Sequence, residues 1–397
     1  MFTLRTKYSM AKALITKNSP FYIQFYISKK CHLRCKMCNI VESNKDLNQV
    51  SLDKIEMIAD NLNKIGAGVI LLTGGEPFLH DDIDEIVKIF ISKGLNIRLQ
   101  TAGLITRKEK IKKCAELGAK DINVSLDSLD EELSDYINGV KHSWRKAIET
   151  ISFISQNFPQ KDSICALGCV LSPYNIDEIE AVLDFATEIG WWLSVVPVHI
   201  TDTNSKLNFR GYDEYFKFNN TDFPKIYSLI NNLKKKKRDG YLLFDSDDYL
   251  DSIYYFITNG RPSWRKNNIC DTPNLYFAIL PDGRFAPCCD HRLDEIIYVY
   301  DRDFPTLYKS KQFLQKVKEI AKNCQGCNFG SFPEMSLSVR SINTFFERLK
   351  IQYKVKKNGI KKLDIIEIYN IINSIKRKYS IYSEKRQYCY RERKYYP

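Results

Sequence analysis

From Pro20 to Pro197 short apolar runs alternate with longer stretches of helical period. The run "FYIQFYIS" predicts a strand, and "SLDKIEMIADNLNKIG" predicts a helix with Ser51 at its N-cap. The alternation continues through "GVILLTG" (strand), "DDIDEIVKIFISKG" (helix ending at Gly94), "NIRLQTAG" (strand), "KEKIKKCAELG" (helix) and "DINVSLD" (strand). Helices then run to Thr150, followed by "SICALGCVLS" (strand), "NIDEIEAVLDFATEIG" (helix) and "WWLSVVPV" (strand). Six β/α units in strict alternation predict a parallel sheet with right-handed crossovers. Six are too few to close an eight-stranded barrel, which leaves a curved, partly open barrel or a doubly wound sheet. In both, ligands sit at the carboxyl ends of the strands.

Beyond His199 the pattern is less regular as far as Ile269, and the "KKKKR" run from Lys234 to Arg238 reads as a solvated helix end. "NLYFAILPDGRFAPCC" predicts a β-hairpin turning at Pro281-Asp282-Gly283, and "LYKSKQFLQKVKEIAKN" a helix leading into Cys324. From Ser331 onward the chain reads as helical and basic, with 16 Lys and Arg against 6 Asp and Glu, so it holds ten of the twelve net positive charges. Such a tail is read as solvated surface, and nucleic acid is not expected as a partner. No apolar run approaches the ~20 residues of a membrane span. The opening "MFTLRTKYSMAKALITKNSP" lacks the apolar core of a secretory signal. No membrane association and a cytoplasmic location are expected. About twenty residues precede the first strand, too few for a separate peptide-binding or cobalamin domain.

Twelve cysteines in a reducing compartment do not predict a disulfide framework. Their grouping predicts metal chemistry instead. Cys31, Cys35 and Cys38 crowd into "CHLRCKMC", directly after the first strand. Zinc completed by His32 or a distant cysteine is one reading, but His32 is adjacent to Cys31 and both would reach one ion awkwardly. An iron–sulfur cluster held by three thiolates, with one iron open to a substrate, accounts for the odd number. With Thr73-Gly74-Gly75-Glu76-Pro77 ending the second strand and "NVSLDS" ending the fourth, the chain resembles the radical S-adenosylmethionine (SAM) superfamily. The resemblance rests on C-x3-C-x2-C, GGEP and the later strand ends, in order, from the first strand to "CVLSPYNIDEI" and "VVPVHI" after the fifth and sixth. It implies a partial (β/α)6 barrel, a [4Fe–4S] cluster on Cys31, Cys35 and Cys38, and SAM on its open iron. It further implies SAM contacts at Met37, Gly74, Gly75, Glu76, Pro77, Thr101, Ser125 and Asp127. Two positions depart from the family pattern: Met37 replaces a frequent aromatic residue, and Ala102 replaces the Asn of Thr-Asn-Gly before Gly103.

Cys270, Cys288, Cys324 and Cys327 form a second set of four. Zinc fits these spacings. In context they resemble the twitch unit, a shortened SPASM domain, and that resemblance implies an auxiliary [4Fe–4S] cluster. The implied organisation is a radical SAM core over residues 1–200, a connecting segment over 201–265, and an α+β cysteine-rich unit over 266–330. A basic helical extension follows over 331–397. Cys289 points opposite to Cys288 on an extended strand and reads as a packed thiol or a hydrogen-atom donor. Cys165 and Cys169 share one face of the fifth strand and read as core, or as donors if that face lines the barrel. Cys114 reads as core and Cys389 carries no reading. His199 is a candidate for the substrate pocket, and His80 for capping the following helix. The implied activity is reductive SAM cleavage to a 5′-deoxyadenosyl radical that takes hydrogen from a C–H bond of a peptide or sugar-like substrate. Oxidation or crosslinking with the auxiliary cluster as electron acceptor is the leading outcome, and epimerisation by a cysteine donor the alternative. A non-catalytic Fe–S or zinc binding protein is the remaining class. A flavodoxin or ferredoxin is the expected electron donor.

Overall fold

The computed structural model describes residues 4–16, 19–105, 107–203, 205, 207–265 and 270–381. Cys389 lies outside them. The six expected strands form as β1 (Tyr22–Ser28), β2 (Val69–Gly74), β3 (Asn96–Thr101), β4 (Asp121–Ser125), β5 (Ile164–Leu171) and β6 (Trp192–Pro197). All five pairings among them are parallel, and the sheet order runs 6-5-4-3-2-1 without reversal. A doubly wound sheet requires its order to reverse at a switch point. A monotone order with right-handed crossovers puts every connecting helix on one side, which curls the sheet into a partial barrel.

Alternation along each strand separates the two faces. Ile23, Phe25, Ile70, Leu72, Ile97, Leu99, Ile122, Val124 and Leu167 enter the large core beneath the helices. The opposite, concave face carries Gln24, Arg98, Gln100, Asn123, Ser125 and Ser194, an unusual load of polar side chains for a closed interior. Ser51 does take the N-cap position of helix Leu52–Ile65, but its hydroxyl turns to Asp53 and caps no helix amide.

The expected hairpin forms as β7 (Tyr276–Ile279) and β8 (Phe285–Ala286). β7 pairs in parallel with β1, Tyr22 opposite Tyr276 and Phe25 opposite Ile279, so the hairpin extends the barrel sheet beyond its first strand. The open flank of the barrel is covered by one helix before β1 and two that follow the second cysteine segment. Helices Leu4–Thr16, Ser331–Arg340 and Ile342–Asn358 turn Met10, Ala13, Met335, Val339 and Phe345 onto the inner cavity. The basic segment is therefore only partly solvated surface. Arg340 pairs with Asp271 (Nε–Oδ2 2.8 Å), and Arg348 lies over the Phe244 ring, 4.0 Å from its centroid. Among the described residues no helix is long and apolar enough to cross a membrane.

Candidate active site

The cysteine loop after β1 is fixed by backbone bonds to the end of helix Glu131–Asn138. The Arg34 amide donates to the Asn138 carbonyl (2.9 Å) and the Lys36 amide to that of Ile137 (3.2 Å). Gly139, at φ +68, permits this approach, since a Cβ there would sit 2.5 Å from the Arg34 carbonyl oxygen. Cys31, Cys35 and Cys38 all open onto one cavity of about 400 Å³ on the concave face. The Leu33 amide donates to Cys31 Sγ (3.4 Å), and Cys35 Sγ lies 3.7 Å from Asn138 Oδ1. Burial pushes the Cys31 thiol up to about 11 and raises Cys35 well above the ordinary thiol range. Thiols in this setting become thiolates only when a cationic centre joins them.

The end of β2 presses on the same loop. Gly75 N–H donates to the Ser28 carbonyl (2.8 Å) and Glu76 N–H to that of Lys30 (2.7 Å). A Cβ on Gly74 would lie 2.3 Å from the Ser28 oxygen, and one on Gly75 2.2 Å from the Lys30 oxygen, so neither position admits a side chain. Both glycines border the cavity, together with Met37, Thr101, Ser125 and Asp127. Glu76 and Pro77 stand behind that wall. The Glu76 carboxylate accepts from the Phe78 amide (3.1 Å), the Ala102 amide (2.8 Å) and the Thr101 hydroxyl (2.9 Å), tying the end of β2 to the end of β3. Burial pushes Glu76 up to about 7 against these donors. Asp127 Oδ1 accepts from the Val170 amide (2.7 Å), and burial pushes this carboxyl to about 7 as well.

His199 borders the cavity with both nitrogens in use. Nδ1 meets the Pro197 carbonyl (2.7 Å), Nε2 accepts from the Asn328 amide (2.9 Å), and the ring stacks on Phe329 at 3.8 Å. Burial drives its pKa well down, so it is a neutral strut between the end of β6 and the second cysteine segment. His80 Nδ1 accepts the Asp82 amide (3.1 Å), away from the cavity. Cys114 and Cys165 are fully buried in the helix-side core. Cys169 shares that face and meets the cavity at its edge, its thiol donating to the Asp127 carbonyl (3.7 Å). Cys289 stands on the cavity wall itself.

Behind Cys289, Cys288 lies within electrostatic reach of Cys270, Cys324 and Cys327. The Cys289 thiol donates toward Cys288 and lowers its pKa, while burial raises that of Cys289. The Cys-x2-Cys turn is held by Gly326 (φ +99), whose amide donates to Cys324 Sγ (3.3 Å), and by Trp264, whose indole N–H donates to the Cys327 carbonyl (3.0 Å). Nothing local in the sequence marked two features. Arg210 grips Asp290 with two bonds (Nε–Oδ1 3.1 Å, Nη2–Oδ2 2.6 Å), clamping the segment after β6 to the residue after Cys289. Asp245 and Glu334, from the connecting and C-terminal segments, stand on the cavity wall.

Residues 25–186 match the family model of the radical SAM superfamily. This stretch, about two fifths of the chain and reaching from β1 through β5, is a radical SAM domain. Membership implies a [4Fe–4S] cluster and SAM, and the three convergent thiols and the side-chain-free Gly74–Gly75 edge fit that pair. An AdoMet-dependent heme synthase of Methanosarcina barkeri is 25% identical over 175 residues, covering 44% of this radical SAM chain and 49% of its own length. The PqqA peptide cyclase of Bradyrhizobium diazoefficiens is 22% identical over 272 residues, covering 68% of this chain and 66% of its own. The chain thus spans about half to two thirds of these curated relatives. The crystal structure of Streptococcus suis SuiB bound to precursor peptide SuiA matches with a TM-score of 0.58 at 17% identity, covering 81% of this chain and 75% of that one, a likeness of fold.

Proposed function

We propose that this radical SAM protein cleaves SAM reductively and abstracts hydrogen from a C–H bond of a peptide or sugar-like substrate held in the barrel cavity. The observation that carries this is the convergence of Cys31, Cys35 and Cys38 on the cavity that Gly74, Gly75, Ser125 and Asp127 also border. Bound there, the reduced cluster and SAM supply the 5′-deoxyadenosyl radical. The protein's own part is enclosure and orientation. The bare Gly74–Gly75 edge leaves backbone groups open to a ligand, Ser125 and Asp127 offer polar contacts, and the terminal helices keep water from the flank.

Peptide substrates are favoured by the names of the relatives, a peptide cyclase and an enzyme crystallised with its precursor peptide. Cys270, Cys288, Cys324 and Cys327 are assigned to an auxiliary [4Fe–4S] cluster. Cys288 lies within electrostatic reach of the other three, and beside a radical SAM barrel four such thiols favour the cluster over zinc. With four thiolates it has no open iron, which favours electron acceptance from the substrate, hence oxidation or crosslinking, with a flavodoxin- or ferredoxin-like protein as external donor.

Anaerobic reconstitution with iron and sulfide, followed by assay for 5′-deoxyadenosine, tests the reading. Two loaded clusters without SAM cleavage would overturn it. The place of Cys289 on the cavity wall supports a second outcome, return of hydrogen from its thiol and hence epimerisation. Product formed in D2O decides: solvent deuterium at the reacting carbon, lost in Cys289→Ala, selects epimerisation, and its absence selects oxidation.

A further inference from the structure

The concave wall carries two carboxylates that the SAM chemistry leaves unused. Glu334, on helix Ser331–Arg340, is 6% exposed. Its Oε1 accepts the Ser246 amide (2.7 Å) at the start of helix Asp247–Asn259, while its Oε2, shielded from solvent, has no hydrogen-bond partner. Asp245, one residue away from that amide, is 1% exposed and accepts from the Ser194 hydroxyl (2.8 Å) and the Val195 amide (2.6 Å). Both residues border the cavity, as does Asn123, 7% exposed, whose Oδ1 is likewise unpartnered.

The nearby cations act on these carboxyls through space while their hydrogen bonds go elsewhere. Arg348 donates to the Phe244 carbonyl (2.6 Å) and stacks on that ring, and Arg98 pairs with Asp121 (3.5 Å). Lys237 donates to the Asp245 backbone carbonyl (2.7 Å) and to Asp247. Among the described residues no ion pair reaches either Glu334 or Asp245. Burial raises the pKa of both carboxyls, and the neighbouring Glu334 charge helps push Asp245 to about 7. An acceptor left bare beside a second buried carboxylate is costly unless a donor arrives with the ligand.

We propose that Glu334 and Asp245 dock a protonated primary amino group of the substrate. The inference rests on the cavity being the substrate chamber, and it narrows the substrate class to amines. The ammonium comes either from a lysyl side chain of a peptide or from a small free amine.

The test uses reconstituted holoprotein with saturating SAM and ligand-observed saturation-transfer NMR. The probes are n-pentylamine against n-pentanol, and Nα-acetyl-lysine-N-methylamide against its norleucine counterpart. Each amine is expected to bind about tenfold or more tighter than its neutral isostere, the value of one charge-assisted bond in a buried site, and Glu334→Gln to bring the pair within about threefold. Tighter binding of the lysine derivative assigns the ammonium to a peptide, and tighter binding of pentylamine to a small amine. Equal binding of isosteres by the wild type, an undiminished preference in Glu334→Gln, or amine binding only when SAM is omitted would each overturn the proposal. Should Glu334→Gln not fold, the wild-type comparison and Asp245→Asn decide. The absence of 5′-deoxyadenosine once dithionite is added to the same samples as the one-electron reductant would sink the radical reading alone and leave the amine preference standing.

Discussion

Gly75→Ala is the sharpest perturbation of the first cluster site, because its effect is steric and local. Gly75 needs no left-handed backbone, so the substitution acts through space alone. The new methyl carbon would stand 2.2 Å from the Lys30 oxygen, 2.6 Å from its carbonyl carbon and 3.0 Å from Cys31 Cβ. Two of those atoms are backbone, so relief needs the loops to part by roughly 1 Å, a shift that close-packed groups resist. Parting breaks the Gly75–Ser28 and Glu76–Lys30 backbone bonds (2.8 and 2.7 Å). Each is worth about 1 kcal/mol net and more if a buried group stays unpaired, giving about 2–5 kcal/mol in all. That is a large share of a typical 5–15 kcal/mol stability, concentrated on the residue before Cys31. Iron analysis after anaerobic reconstitution reads the effect. Wild type is expected to hold about eight irons per chain, and Gly75→Ala about four, with the second cysteine set still loaded. Gly240→Ala is the control, since Gly240 (φ +106) has nothing within 4 Å of an added Cβ. It should cost about 1 kcal/mol of backbone strain and no iron. Full iron loading and an unchanged melting temperature in Gly75→Ala would refute the reasoning.

Other perturbations report on separate parts of the site. The Asp127 carboxyl is raised from 3.8 to about 7, so its contribution to stability is full below 3.8 and lost as pH rises through about 7. Asp127→Asn keeps an acceptor for Val170, and its melting temperature relative to wild type should rise between about pH 5.5 and pH 8; a constant difference would refute this. Arg210→Ala strands Asp290, 1% exposed, and should cost about 3–5 kcal/mol in urea denaturation, with Arg210→Ala/Asp290→Asn recovering part of it. His199→Phe retains the stack on Phe329 but leaves the Asn328 amide unpaired, a loss of about 1–3 kcal/mol. Because His199 is neutral, the pH profile of 5′-deoxyadenosine formation near neutrality should not move in that variant.

The six core strands were legible because each is a short apolar run closed by a turn, and the β1 read from "FYIQFYIS" differs from the observed strand by one residue. The parallel pairing of β7 with β1 was not legible, since it joins residues some 250 positions apart and leaves no periodic trace in either segment. Helix Leu4–Thr16 escaped notice for a related reason. It reads as an ordinary polar segment, and only its packing across the barrel flank gives Met10 and Ala13 a role. Spacing brought the cysteines to attention, but spacing is silent on what a conspicuous side chain touches. Glu76 spends its carboxylate on two backbone amides and the Thr101 hydroxyl, and His199 spends its ring nitrogens on the Pro197 carbonyl and the Asn328 amide.

The two cysteine sets therefore depend on one another through the barrel wall. The β7–β8 hairpin lies along the edge of β1, the strand whose loop carries the first set, and leads directly to Cys288 and Cys289. From there the second segment crosses to the far edge of the sheet, where the Asn328 amide meets His199 at the end of β6. Arg210 fastens the same region to Asp290 from the segment that follows β6. A partial barrel has an open seam between its first and last strands, and here that seam is bridged by the cysteine segment itself. Cys289 faces the cavity with Cys288 immediately behind it, so one wall serves both the cavity and the second cysteine set. Loosening the Arg210–Asp290 clamp should thus disturb both substrate enclosure and auxiliary-cluster loading, whereas a separately folded unit would lose only the second.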